Sequence, residues 1–227
     1  MVLLDFLIPR LCTDCHKRLA KGEKHLCAEC ASKVSPCHDK GCPKCGASTM
    51  KGLCSQCEEI GYSFEFVRSA LSFQGPVATL VHDLKYRAMR APADYFAEKM
   101  AKSAEGYKAF DEFDYVVPVP LHRVRKRERG YNQSEIIARK LAGKMGKTYL
   151  NCIKRTRYTK SQTNLVRAER LKNLAGAFRV KDPAQVKGKK LILVDDVFTT
   201  GSTLNEASRA LYAAGATRVA GYTATRA

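Results

Sequence analysis

Asp195 and Asp196 stand side by side directly after the apolar run Leu191-Ile192-Leu193-Val194, and Thr199, Thr200, Gly201, Ser202 and Thr203 follow closely. Two adjacent carboxylates at the end of a buried strand are costly unless cations or hydroxyls meet them, so the pair reads as a site. The residues beyond supply a complement: hydroxyl donors, a glycine that lets the backbone come close, and the first turn of a helix whose free N–H groups attract an anion. Such a turn cradles a phosphate. A ribose 5-phosphate suits the set, because vicinal hydroxyls can donate to two carboxylates while the phosphate reaches the turn. A capped helix after a buried strand would account for Ser202 or Thr203 and leave the paired aspartates unexplained.

A second chemistry lies near the amino terminus, where eight cysteines form C-x-x-C pairs: Cys12/Cys15, Cys27/Cys30, Cys42/Cys45 and Cys54/Cys57. Two residues between thiolates bring both sulfurs onto one cation, and two such pairs complete the tetrahedral set that zinc prefers, at Zn–S distances of about 2.3 Å. Gly41, Gly46, Gly52 and the run Cys42-Pro43-Lys44-Cys45-Gly46 suit tight knuckles. A disulfide framework is the alternative, but nothing in the chain marks secretion, and clustered pairs in a reducing compartment favour metal. Sequential pairing, with 12, 15, 27 and 30 on one ion and 42, 45, 54 and 57 on another, closes short loops at low entropic cost and is expected over interleaving. His16, His25 and Cys37 are substitute ligands, and Cys152 reads as a small buried residue. One or two structural zinc ions are therefore expected, and they would supply much of the folding free energy of a segment with too little apolar material for its own core.

The elements that must position the aspartates follow from periodicity. Phe64 to Phe73 alternates as a strand, and Gly75-Pro76 opens a helix carrying Val77, Leu80, Val81 and Leu84. A further helix is expected after Pro92. Asp114 to Pro120 reads as a buried strand ending in a proline-punctuated loop, and Gly130 precedes a helical stretch with Ile136, Ile137 and Leu141 in register. Leu191 to Val194 is a short apolar strand, the helix from Ser202 carries Leu204, Ala207 and Leu211 until Gly215 stops it, and Thr217 to Thr225 closes the series. Strands alternating with helices make an α/β domain with a mostly parallel sheet, whose ligands bind at the carboxyl ends of the strands. The cysteines cease before that pattern starts, so the chain divides into a cysteine-rich zinc-binding module at 1–60 and the α/β domain at 61–227, with no long linker between them.

The stretch Val194-Asp195-Asp196-Val197-Phe198-Thr199-Thr200-Gly201-Ser202-Thr203 resembles the ribose phosphate signature of type I phosphoribosyltransferases. Val117-Pro118-Val119-Pro120-Leu121-His122-Arg123, then Arg129-Gly130-Tyr131-Asn132-Gln133-Ser134, then Gln162-Thr163-Asn164-Leu165 with Glu169, Arg170 and Asn173, are similar to the ComF family of competence-associated proteins. The likeness includes the cysteine-rich amino terminus and spans nearly the whole chain. It implies a type I phosphoribosyltransferase-like domain behind a small zinc-ribbon module, and binding of 5-phosphoribosyl 1-pyrophosphate with magnesium. It also implies a cytoplasmic setting in the uptake of single-stranded DNA during natural transformation, with a helicase-like partner and a membrane channel.

Carried onto this chain, Val119, Pro120, Leu121, His122 and Arg123 become a pyrophosphate loop. Lys154 to Arg170 become a mobile basic loop, in which Arg155, Arg157, Lys160 and Arg167 meet departing pyrophosphate. Asp195, Asp196, Arg155 and Lys160 are the catalytic candidates, and Lys85, with His82 about one helical turn before it, is a further candidate to face the site, a surface position being the alternative for either. Turnover stays open: the groups that would hold a donor are present, but none identifies a nucleophile, so an active phosphoribosyltransferase with an unidentified acceptor is the alternative to a binding role. Glutamine-using relatives begin with a catalytic cysteine, whereas this chain begins Met1-Val2, so ammonia transfer from glutamine is not expected.

Forty Lys and Arg against 22 Asp and Glu leave a formal charge of +18, which attracts phosphates and polyanions. Arg123, Arg125, Lys126, Arg127 and Arg129 cluster beside the proposed site, a composition for binding a nucleic-acid backbone with strong salt dependence. Tyr131 is the aromatic near that cluster in sequence, so salt-sensitive binding of single-stranded DNA is expected and sequence-specific reading is not. No run approaches the roughly 18 apolar residues that cross a bilayer. Met1 to Leu11, interrupted by Asp5, reads as a local hydrophobic anchor and not a signal peptide.

Overall fold

The computed structural model describes residues 9–37, 41–50, 52–87, 89–158 and 174–227. Two short helices, α1 (Ala28–Ser32) and α2 (Ser55–Ile60), belong to the cysteine-rich segment. The elements that follow are β1 (Val67–Ser72), α3 (Pro76–Tyr86), α4 (Pro92–Ala104), β2 (Tyr115–Pro118), α5 (Arg123–Arg129) and α6 (Gln133–Lys144). Next come β3 (Thr148–Tyr149), β4 (Ile153–Arg155), β5 (Phe178–Val180), β6 (Lys190–Phe198), α7 (Ser202–Ala213) and β7 (Arg218–Arg226). Five strands form one sheet in the order β1-β7-β6-β2-β3, with every pairing parallel, while β4 and β5 form a separate antiparallel pair.

The wholly apolar run on β6 follows from burial on both faces. Ile192 and Val194 join a cluster with Leu80, Leu84, Phe96, Met100, Ile137 and Tyr222, whereas Leu191 and Leu193 join another with Leu204, Leu211, Phe178 and Val219. Helices α3, α4 and α6 thus cover one side of the sheet and α7 the other. No helix of the described residues is long and apolar enough to cross a membrane. Residues 1–8, which hold most of the expected hydrophobic anchor, lie outside the described residues.

Two elements differ from the expectation drawn from periodicity. Strand β6 continues past Val194 to Phe198, so both aspartates sit inside a paired strand, with Asp195 opposite Thr223 and Val197 opposite Thr225. The basic stretch after Leu121 is helical, not a loop. Helix α5 starts where His122 Nδ1 accepts the N–H of Val124 at 3.3 Å and ends at Gly130, whose φ of 79° is a left-handed stop. It buries none of its residues, and hydrophobic periodicity cannot signal a helix without an apolar face.

The cysteine-rich segment lies along the free edge of β1. Ser72 N donates to Ser35 O at 2.9 Å, Cys37 N to Ala70 O at 3.0 Å and Val67 N to Lys44 O at 2.7 Å, with Pro36 and Leu71 forming an isolated antiparallel bridge. The backbone groups that an edge strand would leave open are therefore bonded within the chain.

Candidate functional site

Asp196 is 4 % exposed and forms an ion pair with Lys85 Nζ of α3 at 3.2 Å. Among the described residues no aligned hydrogen-bond donor reaches its Oδ2, which leaves acceptor capacity in a buried position. Asp195, on the same strand, accepts the hydroxyl of Ser134 at 2.7 Å and the N–H of Asp196 at 2.9 Å, both on Oδ1. Burial, followed by the charge of Asp196, lifts the Asp195 carboxyl to about 7, while Ser134, the Asp196 N–H and Lys85 pull the other way. A buried carboxyl moved this far up beside a second carboxylate is a condition typical of sites and uncommon in scaffold. Lys85 faces the pair as expected. His82 instead has a half-exposed side chain packed against the Tyr86 ring, at 5.0 Å between centroids.

The turn after β6 is shaped by Gly201, at φ 71°. A Cβ there would stand 3.0 Å from the rings of Phe198 and Tyr62, so both backbone angle and space call for glycine. Gly201 offers no side-chain cap to α7, and Ser202 N makes only a long 3.5 Å contact with Thr200 Oγ1, which leaves the helix start available to an anion. Thr200 and Ser202 hydroxyls lie 2.8 Å apart. Behind the turn, Thr200 O accepts the Tyr62 hydroxyl at 2.5 Å and Gln56 Nε2 at 3.2 Å. A cavity of about 20 Å³ opens between Asp195 and residues 197–204.

The proline-rich stretch is fastened from two sides. Val119 N donates to Val194 O at 2.9 Å, and Asn132 Nδ2 donates to Val119 O at 3.0 Å. Val119 and His122 are buried, Pro120 and Leu121 partly so, and Arg123 is exposed. Burial, then the charges of Arg123 and Arg155, holds the His122 imidazole below its ordinary pKa, so it is neutral at pH 7. His122 also bridges to Arg155 at the end of β4, where Lys154 and Arg155, expected to open the mobile loop, are instead strand residues paired with β5. Burial lowers the Arg155 guanidinium from its usual value, and the field of Asp195 opposes that shift. Arg155 and the Asp195 carboxylate therefore share one electrostatic neighbourhood. Lys160, Arg167 and the rest of 159–170 lie outside the described residues, as do Gln162 to Leu165, Glu169, Arg170 and Asn173.

Ser134, which neither composition nor periodicity marks, is the residue that holds Asp195. Tyr131 is not an aromatic surface beside the basic cluster: it is 6 % exposed, and its hydroxyl donates to Leu84 O at 2.6 Å. The aromatic rings that flank α5 are instead Tyr86 and Tyr158, brought from other elements.

The eight paired cysteines assemble into two groups, Cys12, Cys15, Cys27, Cys30 and Cys42, Cys45, Cys54, Cys57, with the sulfurs of each group within 4.8 Å of one another. Cys15 and Cys27 sulfurs are 3.6 Å apart, as are those of Cys45 and Cys54. Tetrahedral zinc sets its thiolates about 3.8 Å apart, whereas a disulfide needs about 2.05 Å, so the spacing is that of a metal centre. His16, His25 and Cys37 join neither group. Burial pushes Cys12 up, but N–H groups of Cys15, Cys27 and Asp14 outweigh it and bring the thiol to about 6. Cys42 also reaches about 6, where burial is outweighed by N–H groups of Cys45, Cys54 and Lys44. Cys152 is buried, and that burial raises its thiol to about 11.

The two knuckles share a further feature. In the first pair of each group, Cys12/Cys15 and Cys42/Cys45, the residue after the second cysteine is left-handed, His16 at φ 59° and Gly46 at φ 73°. His16 is exposed and donates its N–H to Cys12 O at 2.9 Å, the bond that Gly46 makes to Cys42 O at 2.7 Å. A side chain costs about 1–2 kcal/mol in that conformation. His16→Gly is expected to stabilise the zinc-loaded protein by about 1 kcal/mol and Gly46→Ala to destabilise it by a similar amount, measured by denaturant unfolding. Loss of stability in His16→Gly would mean that the imidazole makes a contact worth more than the backbone strain.

The phosphoribosyl transferase domain family matches residues 96–226, and the double zinc ribbon domain family matches residues 3–60. The chain is 33 % identical over 221 residues to the DNA utilization protein YhgH of Salmonella typhimurium, covering 93 % of this chain and 95 % of that protein. It is 29 % identical over 213 residues to Competence protein F of Haemophilus influenzae, covering 88 % and 90 %. With Competence protein ComFC of Streptococcus pneumoniae it shares 27 % over 215 residues, covering 92 % and 90 %.

Proposed function

The chain belongs to the ComF family, a phosphoribosyl transferase domain behind a double zinc ribbon, and from that premise we propose that it binds 5-phosphoribosyl 1-pyrophosphate with magnesium at the β6–α7 turn. We further infer that it binds single-stranded DNA along α5 and serves DNA uptake, a reading supported by relatives named for competence and for DNA utilization. The two parts divide at residue 60, with 1–60 the structural zinc module and 61–227 the ligand-binding domain.

The observation that carries the reading is the junction of two opposed features within one turn of chain. Asp195 and Asp196 present acceptors fixed by Ser134 and Lys85, and the uncapped start of α7 presents donors. A ribose 5-phosphate matches both, its vicinal hydroxyls donating to the carboxylates and its phosphate accepting from the turn. Arg155 and Arg123 would stand toward the diphosphate, and neutral His122 adds no charge to be desolvated. Magnesium, when bound, would screen the diphosphate charge beside the two aspartates.

Titration calorimetry tests this. Heat is expected with 5-phosphoribosyl 1-pyrophosphate plus magnesium, and the affinity should rise with pH by up to about tenfold per unit until about pH 7 and then level off. The sign follows from Asp195, whose proton competes with the ligand below about 7. Absence of binding at pH 8 would sink the reading.

The place of Arg155 in the field of Asp195 supports a second reading, turnover with an unidentified acceptor. Release of pyrophosphate on adding purine or pyrimidine bases separates the two, since a pure binding protein leaves the donor intact.

A further inference from the structure

Helix α5 carries Arg123, Arg125, Lys126, Arg127 and Arg129 and buries none of its residues fully. A charged, exposed helix alone identifies no partner. What distinguishes this one is the exposed ring on each flank. Tyr86, the last residue of α3, is 66 % exposed and has the Arg129 guanidinium 5.7 Å from its ring centre. Tyr158 is 42 % exposed, with Arg125 at 5.9 Å and the His122 ring at 5.2 Å. Arg125 and Arg129 are one helical turn apart on the same face, about 6 Å between their Cβ atoms.

Between Tyr86 and α5 opens a cleft of about 160 Å³, lined by Lys85, Tyr86, Arg125, Glu128 and Arg129. Its volume is on the scale of a cavity that holds one aromatic ring. The charges inside are mixed. Glu128, 3.0 Å from Arg125, would repel a phosphate within the cleft but accept a hydrogen bond from the N–H groups of a base, as carboxylates do. The arginines and Lys85 meanwhile attract phosphates to the rim. A planar, N–H-bearing ring attached to a phosphate chain satisfies all of these groups together.

We propose that this cleft takes one unpaired nucleobase of a DNA single strand, stacked on Tyr86, with the adjoining phosphates on Arg125 and Arg129 and Tyr158 as a second stacking surface. The inference rests on the proposed binding of single-stranded DNA and gives it a structural reason: bases paired in a duplex are stacked on one another and cannot enter. Base stacking contributes about 1–3 kcal/mol per base and tolerates any sequence.

Fluorescence anisotropy on the full zinc-loaded chain tests this with a labelled mixed-base oligomer and an abasic oligomer of equal length. Wild type should bind the base-bearing strand about 5- to 100-fold more tightly than the abasic one. Tyr86→Ala should lose most of that difference with no change in salt dependence, Tyr86→Phe should keep it, and Arg125→Ala should lower the salt slope by about one. Unchanged heat with 5-phosphoribosyl 1-pyrophosphate would show that Tyr86→Ala keeps its fold. Equal binding of the two strands by wild type, or full discrimination in Tyr86→Ala, overturns the stacking cleft while leaving DNA binding in place. Failure of wild type to bind any oligomer overturns both. Displacement of the oligomer by an equal concentration of free adenine overturns the strand as the source of the base.

Discussion

Changing Asp195 and Asp196 together to asparagine is expected to weaken binding of 5-phosphoribosyl 1-pyrophosphate with magnesium at least about 100-fold, because each lost charged hydrogen bond removes about 1.5–3 kcal/mol. The same chemistry gives Asp195→Asn alone the opposite effect on stability. In the folded chain Asp195 titrates at about 7, against about 3.9 when unfolded. Between those values the native state binds the extra proton, so stability falls as pH rises from about 4 to about 7 and is flat above. An amide cannot ionise, yet its oxygen can still accept from Ser134 and from the Asp196 N–H. Asp195→Asn should therefore melt a few degrees higher than wild type at pH 8 and show little advantage at pH 4. Calorimetry and thermal unfolding at both pH values check the pair of outcomes, and a double variant that keeps wild-type affinity would show that the carboxylates do not hold the ribose.

Loss of zinc from the second ribbon is the other large effect. Structural zinc contributes apparent binding free energies of about 10–16 kcal/mol, so Cys54→Ser/Cys57→Ser should unfold that ribbon. The damage reaches the β6–α7 turn by identifiable contacts. Gln56 of α2 and Tyr62 just beyond it hold Thr200 O, and the Arg226 guanidinium donates to Cys45 O and lies 3.4 Å from its sulfur. Affinity for 5-phosphoribosyl 1-pyrophosphate should fall at least about tenfold, the scale of losing two hydrogen bonds that fix one carbonyl. The first ribbon meets the domain elsewhere, for example where Thr79 donates to Asp14 at 2.7 Å. Cys12→Ser/Cys15→Ser should lose one equivalent of metal and some stability but leave the affinity of the folded fraction within about threefold. Metal content and calorimetry on both variants decide it, and equal losses of affinity would mean that the ribbons act only through global stability.

The aspartates and the hydroxyl-rich turn were legible in the sequence because their chemistry is local: residue types and order suffice to show costly acids beside anion donors. The cysteine pairs were legible for the same reason, as was the strand Leu191–Val194, whose apolar run reports burial on both faces. What escaped reading is non-local or lacks an apolar signature. Helix α5 buries nothing, and the continuation of β6 through two aspartates looks like the end of a strand by hydrophobicity. Gln56 and Tyr62 reach Thr200 from 144 and 138 residues away. Tyr131 is near α5 in sequence yet turns inward, whereas Tyr86 and Tyr158 arrive from neighbouring elements. Lys160, expected to meet departing pyrophosphate, lies outside the described residues.

The hydrogen bonds from Ser35, Cys37 and Lys44 to β1 link metal supply to self-association. A chain made without zinc would bare the N–H groups of Val67 and Ser72 and the carbonyl of Ala70 along a parallel sheet, a template on which a second chain can add its own strand. In the folded chain the cysteine-rich segment occupies those groups. At the opposite end, β3 is only two residues long, a border too short to recruit a partner and in no need of such cover.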